Sequence, residues 1–264
     1  MAKVINKVKI YGAGSIGNHM AHASRVLGWE VDIYDIDESA LSRTKNNIYP
    51  TRYEKWDEEI KLYNISESHS ENDEYDLVII GTPPDSHMKL ALEALEHRPK
   101  AVLIEKPFCT PDMEGATKLI NNASKYNIPI FCGYDHVLGA GSEKVTELLS
   151  NKNQFVCQTL DVEFREHWGG IFAAHPWLSG PEDTYLGSWQ KGGGACGEHS
   201  HAINLWQYFA SVMDIGEIVE VQAMLDYVED DMISYDRLCC LNVRTNKNIH
   251  GRIVQDVVTK PPRK

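Results

Sequence analysis

The segment Lys7-Val8-Lys9-Ile10-Tyr11-Gly12-Ala13-Gly14-Ser15-Ile16-Gly17 decides the fold. Val8 to Tyr11 reads as a buried strand, Gly12 to Gly17 has the form GxGxxG, and Ser15 to Leu27 reads as a helix. Strand, glycine turn and helix in that order open a dinucleotide-binding βαβ unit. Gly12 permits the tight turn. Gly14 lets a pyrophosphate approach the backbone, and Gly17 lets helix and strand pack closely. Ser15 and Ile16 begin the helix, whose first amides face the phosphates.

Working outward, Val31 to Tyr34 is a second strand and Asp35 stands at its end. An acidic residue there bonds the adenosine ribose hydroxyls and repels a 2′-phosphate. Ile36 brings no positive charge, so the expected cofactor is NAD rather than NADP. The plainer alternative is that the glycines only make a turn and Asp35 or Asp37 caps the next helix. Asp76 to Thr82, Ala101 to Ile104 and Ile128 to Cys132 read as strands. His87 to His97 and Met113 to Tyr126 read as helices. This alternation predicts right-handed crossovers and a parallel, doubly wound sheet. Asn46 to Ser70 is charged and poorly periodic, and reads as surface helix and loop.

After Gly133 the pattern changes. Ser142 to Ser150 is helical, and Phe155 to Phe164 is a long strand. A loop rich in Trp, His, Gly and Pro runs to Gly194, and His199 to Met213 is helical. Ile218 to Val228, Arg237 to Val243 and Ile249 to Val258 are strands with no helix between them, and Thr245 to Asn248 is a hairpin turn. The expected fold class is therefore α/β: a Rossmann domain over residues 1–133, then an α+β domain over 134–264 with a mostly antiparallel sheet.

Composition narrows the function. The 264 residues carry a formal net charge of −12, which argues against nucleic acid and anionic membrane as partners. No apolar run approaches spanning length, and Met1 to Lys9 lacks the apolar stretch of a signal peptide. The six cysteines form no C-x-x-C pair and suggest reduced thiols in a cytoplasmic protein.

Four further segments add chemistry: Gly81-Thr82-Pro83-Pro84 with His87, Glu105-Lys106-Pro107, Gly133-Tyr134-Asp135-His136, and Gly192-Gly193-Gly194 followed by Ser200-His201-Ala202-Ile203-Asn204. Together with the fingerprint they resemble the glucose–fructose oxidoreductase and inositol dehydrogenase family (Gfo/Idh/MocA) over nearly the whole chain. The resemblance implies a sugar, nucleotide-sugar or cyclitol substrate held against the second sheet. It implies that Lys106 and His201 are catalytic, that Thr82, Pro83, Pro84 and His87 line the cofactor, and that Glu105 lies near the nicotinamide. Tyr134 and His136 fall where the chain passes beneath the substrate. Homodimers or homotetramers are implied as well.

The chemistry can also be built from the residues. Lys106 follows a strand at its C-terminal end, where open α/β sheets bind ligands, and its ammonium can stabilise a developing alkoxide. Pro107 holds it out of helical conformation. His201 has an intrinsic pKa close to working pH, which suits a proton shuttle. A solvated lysine and a packed core histidine are the plain alternatives. Glu198, His199 and His201 match no standard zinc spacing, so no metal is expected. Trp168, Trp177, Tyr185 and Trp189 offer faces for sugar rings or a base, or simple packing.

Two features depart from the family. Gly197 stands where an aspartate is common, four residues before the histidine, and Gln190 and Lys191 stand where an arginine is often found. Glu198 is the nearest acid, and on a continuous helix it would share a face with His201, making the two a proton-handling pair. The chain also ends early for the family; Val258 to Lys264 reads as a loop leaving a strand, and the second domain as truncated. The leading expectation is an NAD-dependent dehydrogenase acting on CH–OH groups. The alternatives are an NAD-dependent glycosidase using transient oxidation and elimination, and a non-catalytic NAD(H)-binding regulator.

Overall fold

A computed structural model describes residues 4–65, 74–150 and 156–263. The chain folds as two units, Met1–Gly133 and Tyr134–Lys264.

The first unit is a six-stranded parallel sheet. Its strands are β1 (Lys7–Tyr11), β2 (Glu30–Asp35), β3 (Ile60–Asn64), β4 (Leu77–Ile80), β5 (Ala101–Ile104) and β6 (Ile130–Cys132), in the order β3-β2-β1-β4-β5-β6. That order reverses between β1 and β4, the crevice where doubly wound sheets bind ligands. Both faces are covered, so β4 buries Val78, Ile79 and Ile80 in succession. Between the strands lie α1 (Ser15–Val26), α2 (Glu38–Arg43), α3 (Tyr49–Tyr53), α4 (Pro84–Glu96) and α5 (Ala116–Tyr126). α5 starts three residues later than Met113 because Gly115, at φ 81°, stands outside helical conformation. α4 starts earlier than His87, with Pro84 as its first residue, a place that needs no backbone N–H.

The segment from Asn46 to Ser70 departs from the expectation of surface helix and loop. Ile48, Tyr49 and Ile60 are buried, and Ile60–Asn64 is a strand pairing with β2. The strand is short, lies at the sheet's edge and buries one strong anchor, so its alternation was weak. Residues 66–70 of that segment lie outside the described residues.

The second unit contains α6 (Ala140–Leu149), β7 (Thr159–His167), α7 (Gly169–Ala174), α8 (Gly194–Gly197), α9 (His201–Met213), β8 (Ile218–Glu229), β9 (Ser234–Thr245), β10 (His250–Asp256) and β11 (Val258–Arg263). The sheet order is β11-β7-β10-β9-β8, antiparallel except for the pair β7 and β10. The described part of the first strand begins at Thr159; Phe155, its expected start, lies outside the described residues. α9 packs Ala202, Trp206 and Ala210 against Phe164, Val243 and Ile253 of the sheet. The buried Trp206 indole donates to the Leu160 carbonyl at 2.7 Å, so its loss would cost about 3–5 kcal/mol. The turn at Thr245–Asn248 forms as expected, with Asn248 at φ 61°.

Two expectations for this unit are corrected. Val258–Arg263 is a strand pairing with β7, not a loop. Pro261 and Pro262 misled because proline is tolerated on an edge strand or at a bulge, and β11 pairs with β7 at Val258 and Arg263 with a register shift between them. The helix begins at His201 rather than His199, because Glu198 to Ser200 form a turn between α8 and α9.

Candidate functional site

The fingerprint closes around backbone contacts that only glycine allows. Gly12, at φ 103°, hydrogen-bonds through its amide to the Tyr34 carbonyl at 2.8 Å. A side chain at Gly17 would strike the Gly12 carbonyl, so this glycine lets α1 approach β1. A methyl group at Gly14 would meet nothing within 4 Å. That open space above the first turn of a twelve-residue helix fits a dinucleotide pyrophosphate.

Asp35 serves the same turn. Its carboxylate accepts from the Ala13 amide at 2.7 Å and from the Asp37 amide at 2.9 Å. Asp37, not Asp35, caps α2 by accepting from Ser39 N at 2.9 Å. Ile36 is 75% exposed beside it. Arg52 of α3, which the sequence offered no means of singling out, donates to the Ser15 carbonyl at 2.9 Å and to Ser15 Oγ at 2.7 Å. A guanidinium therefore stands at the start of α1.

The next loops line up at the C-terminal ends of neighbouring strands. The amides of Gly81, Glu105 and Gly133 reach the carbonyls of Tyr11, Ile80 and Ile104, at 2.8, 2.9 and 2.8 Å. Thr82, Pro83 and Pro84 thus follow β4, Glu105 and Lys106 follow β5, and a side chain at Gly133 would strike the Glu105 carboxylate. The Lys106–Pro107 peptide is cis. His87 is fully buried, and its Nε2 and Nδ1 face the carbonyls of Thr82 and Pro107 at 2.7 and 3.1 Å. Burial holds its pKa below the usual histidine range against the pull of those carbonyls. It joins the loop after β4 to the loop after β5 instead of presenting its ring at the surface. Burial, with Glu105 nearby, pushes the Cys132 thiol up to about 12, which leaves no thiolate nucleophile there.

In the second unit the structure gathers Tyr134, Asp135, His136 and His201. His136 packs between Phe164 and His201, with ring centroids at 4.8 and 4.4 Å. Tyr134 hydrogen-bonds through its hydroxyl to Ser200 Oγ at 2.8 Å, and its ring meets His201 edge-on at 6.0 Å. His201 is buried at the first turn of α9.

The glycine run is shaped by packing. Gly194, at φ 82°, lies against Asp236, whose carboxylate accepts from Cys196 N at 2.8 Å. Glu198 lies apart from the helix assumed for it and accepts from the Tyr185 hydroxyl at 2.5 Å. His199 instead meets Glu166 of β7 at 3.4 Å. Trp168, expected to offer a face to substrate, is 5% exposed and stacks on Tyr235 at 4.6 Å; it belongs to the core. Trp189 is 39% exposed.

Residues 6–134 match the profile of an oxidoreductase family with an NAD-binding Rossmann fold. Over these residues the chain is similar to the Gfo/Idh/MocA family. That family is one of oxidoreductases with NAD as the cofactor, and Gly12, Gly14 and Gly17 build the turn that an NAD-binding Rossmann fold requires. Solved structures share the fold along nearly the whole chain. GenD2 from gentamicin A biosynthesis, in complex with NAD, is 18% identical, with 98% of this chain and 68% of that one aligned at a TM-score of 0.74. The WlbA dehydrogenase from Bordetella pertussis, in complex with NADH and UDP-GlcNAcA, is 18% identical, with 99% and 70% aligned at 0.73. UDP-N-acetylglucosamine 3-dehydrogenase from Acidithiobacillus ferrooxidans is 15% identical, with 98% and 70% aligned at 0.69. No curated protein matches the sequence. No helix among the described residues is long and apolar enough to cross a membrane.

Proposed function

We propose that this chain oxidises, or forms by reduction, a hydroxyl-bearing carbon of a sugar, nucleotide sugar or cyclitol, with NAD as the hydride carrier. The observation that carries this reading is the position of Lys106. It follows β5 directly, and the glycine fingerprint and Thr82 follow neighbouring strands of the same parallel sheet. The UDP-N-acetylglucosamine 3-dehydrogenase and the UDP-GlcNAcA-bound dehydrogenase among the similar folds support the substrate class.

NAD, when bound, supplies the hydride acceptor. The α1 amides and Arg52 hold its pyrophosphate, and Asp35 takes the adenosine ribose. Lys106 stabilises negative charge on the substrate oxygen. His201 takes the hydroxyl proton, with Tyr134 and His136 packed beside it. Glu105 would stand near the nicotinamide, and Trp189 would offer its exposed face to a ring. β8 exposes Val219, Val221 and Met224, which supports a homodimer or homotetramer.

The test is NADH formation against panels of cyclitols, free sugars and nucleotide sugars. Absence of NADH with every panel, while NAD binding persists, overturns the reading. Sugar release without net NADH would establish a glycosidase instead.

A further inference from the structure

We propose that Asp135, His136 and His201 form a binding site for a divalent transition-metal cation of the zinc class. One donor atom from each of the three residues lies within 4.8 Å of the other two. This is a different set from the acidic and histidine cluster that the sequence places side by side. Glu198 is engaged by Tyr185, and His199 faces Glu166. The ligand set is assembled only by the fold, from two adjacent residues and a third 65 positions on.

The donor chemistry selects the ion. Two imidazoles and one carboxylate are borderline ligands, suited to zinc, cobalt or nickel, and poor for magnesium or calcium, which prefer oxygen alone. The two rings stand nearly perpendicular, at 87°, with centroids 4.4 Å apart. Each is held by packing: His201 is buried at the start of α9, and His136 is wedged against Phe164. Such ligands are preorganised, which lowers the ordering cost of binding. The third ligand is adjustable. The Asp135 carboxylate lies 3.9 Å from His136 Nε2, with its side chain 80% exposed. Metal–ligand bonds of about 2.0–2.2 Å in tetrahedral geometry need donors roughly 3.3 Å apart. Rotation of the exposed Asp135 side chain closes most of that gap. Three protein ligands leave one tetrahedral position for water; a bound ion takes up the His201 lone pair, so the metal-loaded form and the form in which His201 accepts a proton are alternative states. The net charge of −12 favours cation capture.

The test is direct binding, without substrate or NAD, so its result is independent of the proposed dehydrogenase activity. Chelator-treated protein is titrated with Co²⁺, read by its visible d–d absorption, and Zn²⁺ is then added as competitor. One equivalent of Co²⁺ should bind with a tetrahedral spectrum and be displaced by Zn²⁺. His136→Gln should weaken binding by about tenfold or more, at the scale of disturbed metal shells. Asp135→Asn, at an exposed position that tolerates the change, should weaken it several-fold. His250→Gln, which alters a surface imidazole of the same unit, should leave it unchanged. Absence of stoichiometric binding to the wild type overturns the proposal. So does binding that survives both His136→Gln and Asp135→Asn.

Discussion

Glu198 accepts a 2.5 Å hydrogen bond from the Tyr185 hydroxyl, and the turn that Glu198 opens ends only where His201 begins its helix. The carboxylate is thus spent on the loop that carries the glycine run. Glu198→Gln keeps an acceptor for Tyr185 and should leave the pH profile of kcat/KM unchanged. Tyr185→Phe should cost about 1.5–3 kcal/mol of stability, the scale of a hydrogen bond to a carboxylate. Urea unfolding and pH–rate profiles check both. A shift in the Glu198→Gln profile would return Glu198 to proton handling.

Lys106→Met is expected to leave NADH affinity nearly intact, because Arg52 and the turn amides of the first unit are untouched. Turnover should fall by roughly two orders of magnitude or more, as for loss of an oxyanion-stabilising group. Single-turnover kinetics with a substrate from the active panel would measure it. Near-normal turnover would make the lysine a bystander.

Asp35 organises the turn through the Ala13 and Asp37 amides, and no basic residue adjoins it in sequence. NADH should therefore bind more tightly than NADPH in fluorescence titrations. Asp35→Ser should weaken NADH binding while narrowing the gap to NADPH. Tighter NADPH binding by the wild type would contradict the assignment.

Much of the first unit was legible because parallel strands covered on both faces must be continuously apolar. Asp76 to Thr82 shows this directly. The fingerprint and the EKP loop announced themselves through residue types that the backbone geometry requires. The second unit was legible in its strands and less so in its site. Little in the neighbouring residues marks Trp168 as core and Trp189 as exposed, since both stand next to polar residues and within two residues of a glycine. Glu198 and His201 looked like helical neighbours because the turn between them contains no proline and no glycine. The meeting of Asp135 with His201 depends on tertiary folding alone. β11 was hidden by two prolines, which an edge position together with irregular pairing explains.

Burial pushes the Asp236 carboxyl up to about 6, against the downward pull of the Cys196 amide. The folded state thus prefers the protonated acid. The associated stability is fully present below the unfolded value of about 4 and is lost as pH rises through about 6. Relative to Asp236→Asn, which cannot titrate, the wild type should gain on the order of 3 kcal/mol between about pH 7 and about pH 4. Parallel urea melts of the two proteins measure that difference, in which other titrating groups cancel. A difference independent of pH would show that Asp236 stays ionised in the fold.

The strand β11 forms one margin of the second sheet, and two of its six residues, Pro261 and Pro262, carry no amide hydrogen. One of two adjacent prolines faces outward, so a foreign strand laid along that margin would meet a missing donor there. Polymerisation by end-on strand addition is thereby discouraged on that side, leaving β8 as the other margin. Crowded or heated protein accordingly has one fewer route into fibrillar aggregates.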